Sequence, residues 1–518
     1  MNKLILWSAV LCALLTSSTT YAQYATDALR YSERDQTGSA RFQALGGNHA
    51  SLGGDPSSIH GNPAGLGFYN RSEFTFSPGV TPSNTKTSYF GDNNSATKGN
   101  LNIAQASLII ASQPGFQRKW KRSSLGISFS RQQSFRDHYT FTGLNDKSAF
   151  IDKVAEDASI DGGISSQQLE EDFEGNPNSG GPVAYSLPAA YYQMYLINPT
   201  SNSGPPYNAL DRNSVVDQLG TYTATGANTQ WTIAYAGNYN DKLYIGANFG
   251  FSRLRYSYDR TLRDNYVDSP ELVYTQQNEA LTVTGTGINF ALGVIYKFNP
   301  IFQMGGVLTS PTFSSIKETF TQNVNAEYVD NLVTGPDGTL IQPPYLNLPI
   351  APNDFEYLLR SPLKANVGAT LFIQDRGFVT GSIEYQDYSV MGVRTSYLSS
   401  TDNSAFKSNT KSEIKDTFRS SYNFRLGGEF RANLFRARLG AAYIGDPYQA
   451  NVGFKRDKLL FSAGVGVRKD RFFADLSGTM STFKSIYTPY VLNNPENYAS
   501  VEVTHKPVNV VLTVGVNF

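Results

Sequence analysis

Four histidines are the residues of this 518-residue chain that would most readily bind a metal ion. His49 and His60 share one glycine-rich stretch, whereas His138 and His505 lie far from it. None has the short paired spacing of metal-ligating histidines. The sequence leaves a haem ligand at His49 or His60 open as an alternative, but such isolated histidines are usually hydrogen-bonding residues. We therefore predict no metal ion and no cofactor.

The sequence shows no recognisable catalytic set either. The only cysteine, Cys12, lies near the N-terminus, so the rest of the chain has no thiol chemistry and no disulfide. The glycines of residues 46–54 do not follow a strand and open a helix, as a dinucleotide-binding loop does. Serine, histidine and acidic residues show no order that indicates a protease or phospholipase. We expect no catalytic residue and no enzyme activity.

Residues 1–22 are typical of a secretory signal peptide. Lys3 supplies a positive charge, the apolar stretch Leu4–Leu15 follows it, and small residues precede Gln23. The competing interpretation is an N-terminal anchor helix, for which the apolar stretch is too short. The sequence therefore predicts an exported chain that begins at Gln23.

The composition favours β structure and gives no reason to expect a nucleic-acid partner. The 43 basic and 43 acidic residues balance, so the formal net charge is zero. Tyr and Phe each occur 32 times and Gly 45 times, which suits strands with aromatic belts and tight backbone positions. No long apolar run follows the N-terminal one, which excludes a bundle of membrane helices but not a membrane β-barrel.

Apolar and polar residues alternate along many segments with the period of a β-strand. Val510, Leu512 and Val514 share one face near the C-terminus, and the chain ends on Phe518, as outer-membrane barrels often end on an aromatic residue. About fourteen such segments can be placed, joined by connections that alternate between short and long. The longest connections are 138–227 and 319–362. Short periplasmic turns and long extracellular loops explain this alternation, whereas a soluble sandwich does not.

The sequence thus predicts an all-β fold, an antiparallel transmembrane β-barrel of about fourteen strands formed by residues 73–518. We expect the barrel to lie in the bacterial outer membrane, surrounded by its lipids, with both termini periplasmic. Residues 23–72 precede it. Their central part is too rich in Gly and Pro for a helix or a central strand, and too apolar for a linker. We expect them to form an N-terminal hatch that plugs the barrel.

A motif within this segment resembles a known family. Asp55, Ser57 or Ser58, and Asn62-Pro63-Ala64-Gly65-Leu66 match a D-x-S-x-x-x-x-N-P-A-G-L pattern. This is similar to the N-terminal hatch of FadL/TodX-type outer-membrane transporters. The long second and fourth loops and the Tyr-rich run Ala189–Pro199 resemble the Bacteroidota branch of that family. The alternative is a generic Asn-Pro turn. The resemblance implies a hatch or gate formed by Asp55, Asn62, Pro63, Ala64 and Gly65.

The resemblance also implies a function. A hydrophobic small molecule, such as a long-chain fatty acid or an aromatic hydrocarbon, would bind in the lumen, a site that detergent could also occupy. The hatch would move, and the molecule would leave sideways through a gap in the barrel wall. A different function stays open, since related barrels with this hatch are accessory subunits of a protein-secretion complex that dock a translocon or its cargo.

The connection 138–227 contains an aromatic run that is unusual for a water-exposed loop. Its residues would either form a groove at the outer rim by which a hydrophobic molecule enters, or pack on one another as a loop core. The sequence leaves both interpretations open. The six residues concerned are Leu187, Tyr191, Tyr192, Met194, Tyr195 and Leu196.

Overall fold

A computed structural model describes residues 18–112, 119–175, 181–201, 204–212, 214–334, 339–449 and 456–518, with side chains from residue 24 onward. Most of the predicted signal peptide, residues 1–17, lies outside the described residues, so that assignment stays a prediction. The same holds for part of the short connection predicted at 113–122.

The described chain is mostly β-sheet. Its strands are β1 (Glu73–Val80), β2 (Ser83–Tyr89), β3 (Asp92–Lys98), β4 (Leu101–Ala111), β5 (Trp120–Ser134), β6 (Asp137–Asn145), β7 (Phe173–Glu174), β8 (Val183–Ala184), β9 (Ile197–Ser201), β10 (Gly204–Ala209), β11 (Val215–Tyr239), β12 (Leu243–Val267), β13 (Leu272–Lys297), β14 (Phe302–Thr309), β15 (Phe313–Tyr328), β16 (Val333–Thr334), β17 (Leu340–Ile341), β18 (Asn347–Arg360), β19 (Lys364–Ile373), β20 (Gly377–Asp387), β21 (Gly392–Arg394), β22 (Ser420–Ala432), β23 (Phe435–Ile444), β24 (Lys458–Lys469), β25 (Phe472–Tyr487) and β26 (Val501–Asn517).

The helices lie in the N-terminal segment and in the connections between strands. The α-helices are α1 (Ser18–Ser32), α2 (Ala40–Ala44), α3 (Phe150–Ser159), α4 (Ser166–Glu171), α5 (Leu187–Gln193) and α6 (Ser400–Thr417). The 3₁₀ helices are Pro56–Ile59, Pro63–Phe68, Ile160–Gly162, Val329–Asn331, Gln374–Arg376, Tyr388–Val390 and Pro495–Asn497. No helix of the described part is long and apolar enough to cross a membrane.

The sheet closes on itself as an antiparallel barrel of fourteen strands, which confirms the predicted fold class. The last strand, β26, pairs with the first, β1, so that Phe74 lies opposite Val516 and Val80 opposite Val510. Several barrel strands consist of two consecutive segments, such as β5 and β6, or β14 and β15. Because the last strand pairs with the first, the sheet has no free edge strand at either end.

The connections alternate in length, as the sequence predicted, but two long ones are mostly strand. Residues 81–100 form the hairpin of β2 and β3, and residues 260–279 extend β12 and β13 to a tight turn. Strands β11, β12 and β13 are 25, 25 and 26 residues long, whereas about 9–11 residues span a membrane. The sequence predicts loops there because the outward face becomes largely polar, as at Asp259, Arg263 and Asn265 of β12, so that the apolar alternation stops.

The faces of the barrel are apolar outside and polar inside. Along β12, Ile245, Phe249 and Phe251 are exposed on the outer face, while Asn248 and Ser252 are buried on the inner face. A soluble sandwich has the reverse pattern, with apolar side chains inside. An outward apolar belt around a polar lumen is typical of a barrel that spans a membrane.

The N-terminal segment lies inside the barrel as a plug, here defined as residues 24–72. Its backbone packs directly on the inner wall at positions where the wall has glycine. A Cβ added at Gly427 of β22 would lie 2.4 Å from the carbonyl oxygen of Leu45, and one added at Gly440 of β23 would lie 2.2 Å from the nitrogen of Gly46. Gly246 of β12 makes the same close approach to Pro63. Since any larger residue would collide with backbone, these glycines fix the position of the plug.

The long connection after β6 folds into a cap with its own apolar core. The core contains residues of α3, α4 and the segment around α5, and includes Ile151, Val154 and Leu169, each at most 1 % exposed. Val333 and Leu348, from the connection before β18 and from its first residues, belong to the same core. A loop of this length thus forms a packed structure of its own.

The glycine contacts predict that substitution by alanine loosens the plug at Gly427 but not at its neighbour Gly428. Gly427→Ala should loosen the plug, because overpacking against backbone costs about 1–3 kcal/mol. Gly428→Ala is the matched control, since its added Cβ would find its nearest neighbour, the Phe378 carbonyl oxygen, at 3.6 Å. Hydrogen exchange of peptides covering residues 40–68 should be faster by roughly tenfold or more in the first variant only. Equal exchange in the two variants would contradict this account of the contact.

Candidate functional site

Asn62 connects the plug to the barrel wall through its side-chain amide. The Nδ2 group donates to the carbonyl oxygens of Ala50 at 2.6 Å, Gly306 at 3.2 Å and Val294 at 3.4 Å. The Oδ1 atom accepts from the nitrogen of Ala64 at 3.1 Å and so caps the 3₁₀ helix that begins at Pro63. Asparagine suits this position because its amide donates and accepts at once, and proline suits the first helical position.

Asp55 organises the other half of the motif. Its carboxylate accepts from the nitrogen of Ser57 at 2.8 Å, which caps the helix Pro56–Ile59, and from the hydroxyl of Ser39 at 3.0 Å. The Gly65 carbonyl oxygen accepts from the nitrogen of Gly54 at 3.2 Å. The structure thus brings the predicted residues Asp55, Asn62, Pro63, Ala64 and Gly65 into one compact unit inside the barrel. Whether this unit acts as a gate stays a prediction.

An ion-pair network holds the plug to strands β22, β23 and β25. Arg41 of α2 donates to Glu429 at 3.3 Å, and Arg438 donates to the same carboxylate oxygen at 2.7 Å. Arg438 also donates to Asp475 at 2.6 Å. This last pair crosses β24 at Gly466, where an added Cβ would lie 1.8 Å from Asp475. Removal of one partner from such a buried network would leave an uncompensated charge, which typically costs about 3–5 kcal/mol.

A cavity of about 1260 Å³ lies between the plug and the wall. Phe42, His49 and His60 of the plug line it, together with the inner faces of many strands. Its lining is unusually rich in charged side chains for a lumen that would carry a hydrophobic molecule. The cations include Arg30, Arg34, Arg131, Lys364, Arg425 and Lys458, and the anions include Asp27, Glu33, Asp35, Glu279 and Glu384.

The hydrogen-bonded wall is interrupted next to this cavity. The ladder between β4 and β5 runs from Ala111 opposite Ser124 only to Gln105 opposite Ser130. Beyond it, β3 pairs with β2, and in the described part of the chain no ladder joins β3 to β6. The β2–β3 hairpin contacts β6 through side chains instead, as in the hydrogen bond from Thr87 Oγ1 to the Thr140 carbonyl oxygen at 2.6 Å.

The cavity reaches this interruption. Its lining includes every residue from 131 to 139 on one side and residues 98–100 on the other. Alternate residues of a strand face opposite sides of the sheet, so a cavity lined by consecutive residues touches the wall where the sheet is incomplete. We call this place the side gap.

The structure places the aromatic run of the cap in and around the cap core. Tyr191, Met194 and Leu196 are at most 1 % exposed, while Leu187, Tyr192 and Tyr195 are partly buried and pack against the same core. Tyr328 also donates a hydrogen bond to the Met194 carbonyl oxygen. The three buried residues fit the interpretation that the aromatic run forms a loop core. The groove stays a prediction, and it would have to open along the partly buried three.

Several parts of the site were not identified in the sequence. Helix α1 was missed because the expectation for this region rested on the Gly- and Pro-rich stretch after it. Its residues Tyr24, Ala28 and Leu29 are buried against strands and against Phe406 of α6. The ion-pair network could not be identified either, because Asp475, which binds Arg438, and Arg41, which shares Glu429 with Arg438, are distant from it in the sequence. No group of three or more metal-ligating side chains occurs in the described residues.

The two histidines of the plug are neutral in their buried positions. Desolvation lowers the pKa of His49 to about 3, with a further contribution from the Arg425 guanidinium, and lowers the pKa of His60 to about 4. The Lys364 ammonium lowers both values further, whereas Glu384 opposes the shift of His49. Each imidazole would regain its ordinary pKa of about 6.5 if the plug left the lumen.

These shifts predict that acid loosens the plug. Above about pH 6.5 both imidazoles are neutral whether the plug is docked or not, so docking is unaffected. As the pH falls from about 6.5 toward 4, the undocked plug binds protons that the docked plug does not, and docking weakens by up to tenfold per pH unit for each histidine. Hydrogen exchange of residues 40–68 at about pH 7 and about pH 5 would measure this weakening of plug docking.

The double variant His49→Asn, His60→Asn is the control for this effect. Its plug should exchange at rates that differ less between the two pH values, after correction for intrinsic exchange. A pH dependence of equal size in the double variant would assign it to other groups.

The fold has relatives among solved structures. A FadL homologue from Pseudomonas aeruginosa aligns at 12 % identity over 94 % of this chain and 99 % of its own, with a TM-score of 0.54. The Pseudomonas putida toluene transporter TodX aligns at 13 % identity over 93 % of this chain and 99 % of its own, with a TM-score of 0.52. No family model and no curated protein matches the sequence. At these identities the likeness is one of fold, and the chain therefore shares the fourteen-strand barrel fold of these two proteins.

Proposed function

We propose that this protein is an outer-membrane channel for the passive uptake of hydrophobic small molecules. The observation that carries the proposal is the cavity, which lies against the plug and reaches the side gap in the barrel wall. A molecule in this cavity would lie beside the side gap and would enter the apolar layer around the barrel there. The fold shared with a FadL homologue and with a toluene transporter supports the same function.

The proposal assigns a physical role to each part. The outward belt meets the lipids of the outer membrane, and the short turns and both termini lie on the periplasmic side. The plug fills the lumen and prevents a leak of water and ions. The ligand binds in the cavity and leaves sideways after a movement of the plug, so that it need not cross the aqueous periplasmic end. Transport follows the concentration gradient and needs no covalent chemistry.

The candidate ligands are long-chain fatty acids, aromatic hydrocarbons or similar compounds. Loop residues of the cap, in particular the partly buried Leu187, Tyr192 and Tyr195, would form the first contact with such a molecule. A role as an accessory subunit of a secretion complex remains the alternative, and no contact described above favours it.

A disulfide that fixes the plug to the wall would test the proposed movement. Ser51 of the plug and Thr370 of β19 share a hydrogen bond of 2.7 Å between their hydroxyl groups, a spacing that suits a disulfide after both are changed to cysteine. The chain has no other cysteine beyond Cys12. We expect the Ser51→Cys, Thr370→Cys variant to lose uptake of a labelled fatty acid or hydrocarbon in cells without the native gene, and to regain it on reduction.

The control is a disulfide within the wall. Thr370 and Thr380 of β20 share a hydroxyl hydrogen bond of 2.9 Å, so Thr370→Cys, Thr380→Cys joins two strands of the wall. It loses the Thr370 hydroxyl just as the test variant does, but forms no covalent link to the plug. Uptake should persist in this variant. Undiminished uptake by the oxidised plug-to-wall variant would show that the plug does not have to move at Ser51.

A further inference from the structure

The apolar belt on the outer surface of the barrel ends abruptly along β12. The outward side chains of this strand are apolar from Leu243 to Phe251, a stretch long enough to cross a membrane, for which about 9–11 residues are needed. The next two outward positions are Arg253 and Arg255, and both are exposed. These two arginines therefore lie at the surface of the membrane, on the side of the belt away from the short turns.

No neighbouring carboxylate neutralises the two arginines. Among the described residues, none forms an ion pair within 4 Å with Arg253 or Arg255. Glu279 of the adjacent strand β13 pairs with Arg260 instead. Asp259, the next outward acid of β12, lies about 13 Å beyond Arg255 at the rise of a strand. The donors of both guanidinium groups are thus left to water or to a ligand from the membrane.

Hydroxyl groups flank the arginines on both sides. Arg253 lies opposite Thr229 of β11 and opposite Thr286 of β13. Arg255 lies opposite Thr284 of β13. Both threonines of β13 are exposed on the outer face. Directly opposite residues of an antiparallel pair have their Cβ atoms about 4.5–5.5 Å apart, so cations and hydroxyl groups form one polar patch.

A third cation extends this patch across β13. Lys317 of β15 lies opposite Thr284 on the side away from β12, and two strand spacings separate it from Arg255 by about 10 Å. Lys317 forms an ion pair with Glu356 of β18, but both side chains are largely exposed. Such exposed pairs contribute little, and Lys317 can exchange this partner for another anion.

The same edge of the belt has a different character on β20, β22 and β23. Its outward residues there are Tyr385, Tyr422 and Tyr443, all exposed, and the ring centres of the first two lie 5.2 Å apart. An aromatic girdle at this height is common to membrane barrels and selects no particular lipid. The cations of β12 and β15 are therefore not a general feature of this edge.

We propose that Arg253, Arg255 and Lys317 bind the head group of a phosphorylated glycolipid in the outer leaflet of the membrane. Two guanidinium groups about 7 Å apart, with an ammonium about 10 Å away, match a head group that carries more than one phosphate. Thr284 and Thr286 lie between these cations and hydrogen-bond to the sugar, while the acyl chains lie on the apolar belt. The site depends on the proposed orientation of the barrel in the outer membrane, and not on what the lumen carries.

Two lipids that differ only in their phosphates test this site. Native mass spectrometry of the purified full-length mature barrel in a non-ionic detergent would measure the affinity for lipid A with two phosphates and for the same lipid A without phosphate. The phosphorylated form should bind at least tenfold more tightly. In Arg253→Gln, Arg255→Gln this affinity should fall by about tenfold or more, since two cations near an anionic head group are lost. The affinity for the form without phosphate should not change.

Lys407→Gln, Lys411→Gln is the matched control, because it also removes two exposed cations, but from α6 in the connection between β21 and β22. It should bind both lipids as the unchanged protein does. If Arg253→Gln, Arg255→Gln does not fold, Lys317→Gln serves as the second variant, with a smaller loss. Equal affinity of the unchanged protein for the two lipids, or equal losses in the arginine variant and the control, overturns the site and leaves uptake through the lumen unaffected.

A phospholipid distinguishes a glycolipid site from a general attraction to negative charge. Phosphatidylglycerol has one phosphate and no sugar, so it engages fewer of the three cations and should bind more weakly than phosphorylated lipid A. Equal affinity for these two lipids would overturn the assignment to a glycolipid.

Discussion

The requirement that buried backbone polar groups find partners governs this structure more than any other interaction. The plug after α1 is rich in Gly and Pro and forms little regular structure, so many of its carbonyl and amide groups have no partner within it. The inner wall supplies them. Gln303 donates to the Ser51 carbonyl oxygen at 2.5 Å, Asn248 donates to that of Ile59 at 2.8 Å, and Thr513 accepts from the nitrogen of Ala40 at 2.7 Å. The plug can therefore lie in the lumen only because the inner wall supplies polar side chains.

The same contacts explain why the inner face of the wall has glycine where the plug touches it. Side chains on the inner face would hold the plug backbone away from the donors and acceptors of the strands. Glycine at positions such as Gly427, Gly440 and Gly305 removes that obstacle. The strands lose side-chain packing in return. In that region the buried ion pair of Glu429 and Arg438 joins β22 to β23, and that of Arg438 and Asp475 joins β23 to β25 across β24.

The alternation of the sequence was sufficient to predict the barrel and its strand number, because period-two patterning follows directly from having two different environments on the two faces. The Asn-Pro-Ala-Gly motif could be recognised in the sequence because the hydrogen bond that caps its 3₁₀ helix joins residues only two positions apart. What depends on contacts between distant segments could not be predicted. Arg41 meets Glu429 across hundreds of residues, and nothing near Arg131 in the sequence indicates that its ladder with β4 has already ended. The outer parts of β11–β13 could not be predicted as strands because their outward faces are largely polar.

The distribution of contacts also bears on how the plug can move. The network around Arg41 and the amide of Asn62 hold residues 40–68 to the wall through buried bonds whose loss is costly. Residues 33–37, between α1 and α2, are held differently. Their contacts at the gap are the hydrogen bonds of Asp35 with Gln132 and Ser134 and that of Thr37 with the Arg131 carbonyl oxygen. A displacement of this short link would widen the side gap while the anchored part of the plug keeps the lumen closed to ions. In the proposed uptake the link would therefore move first, because its bonds cost least to break, and the anchored part around Ser51 would follow.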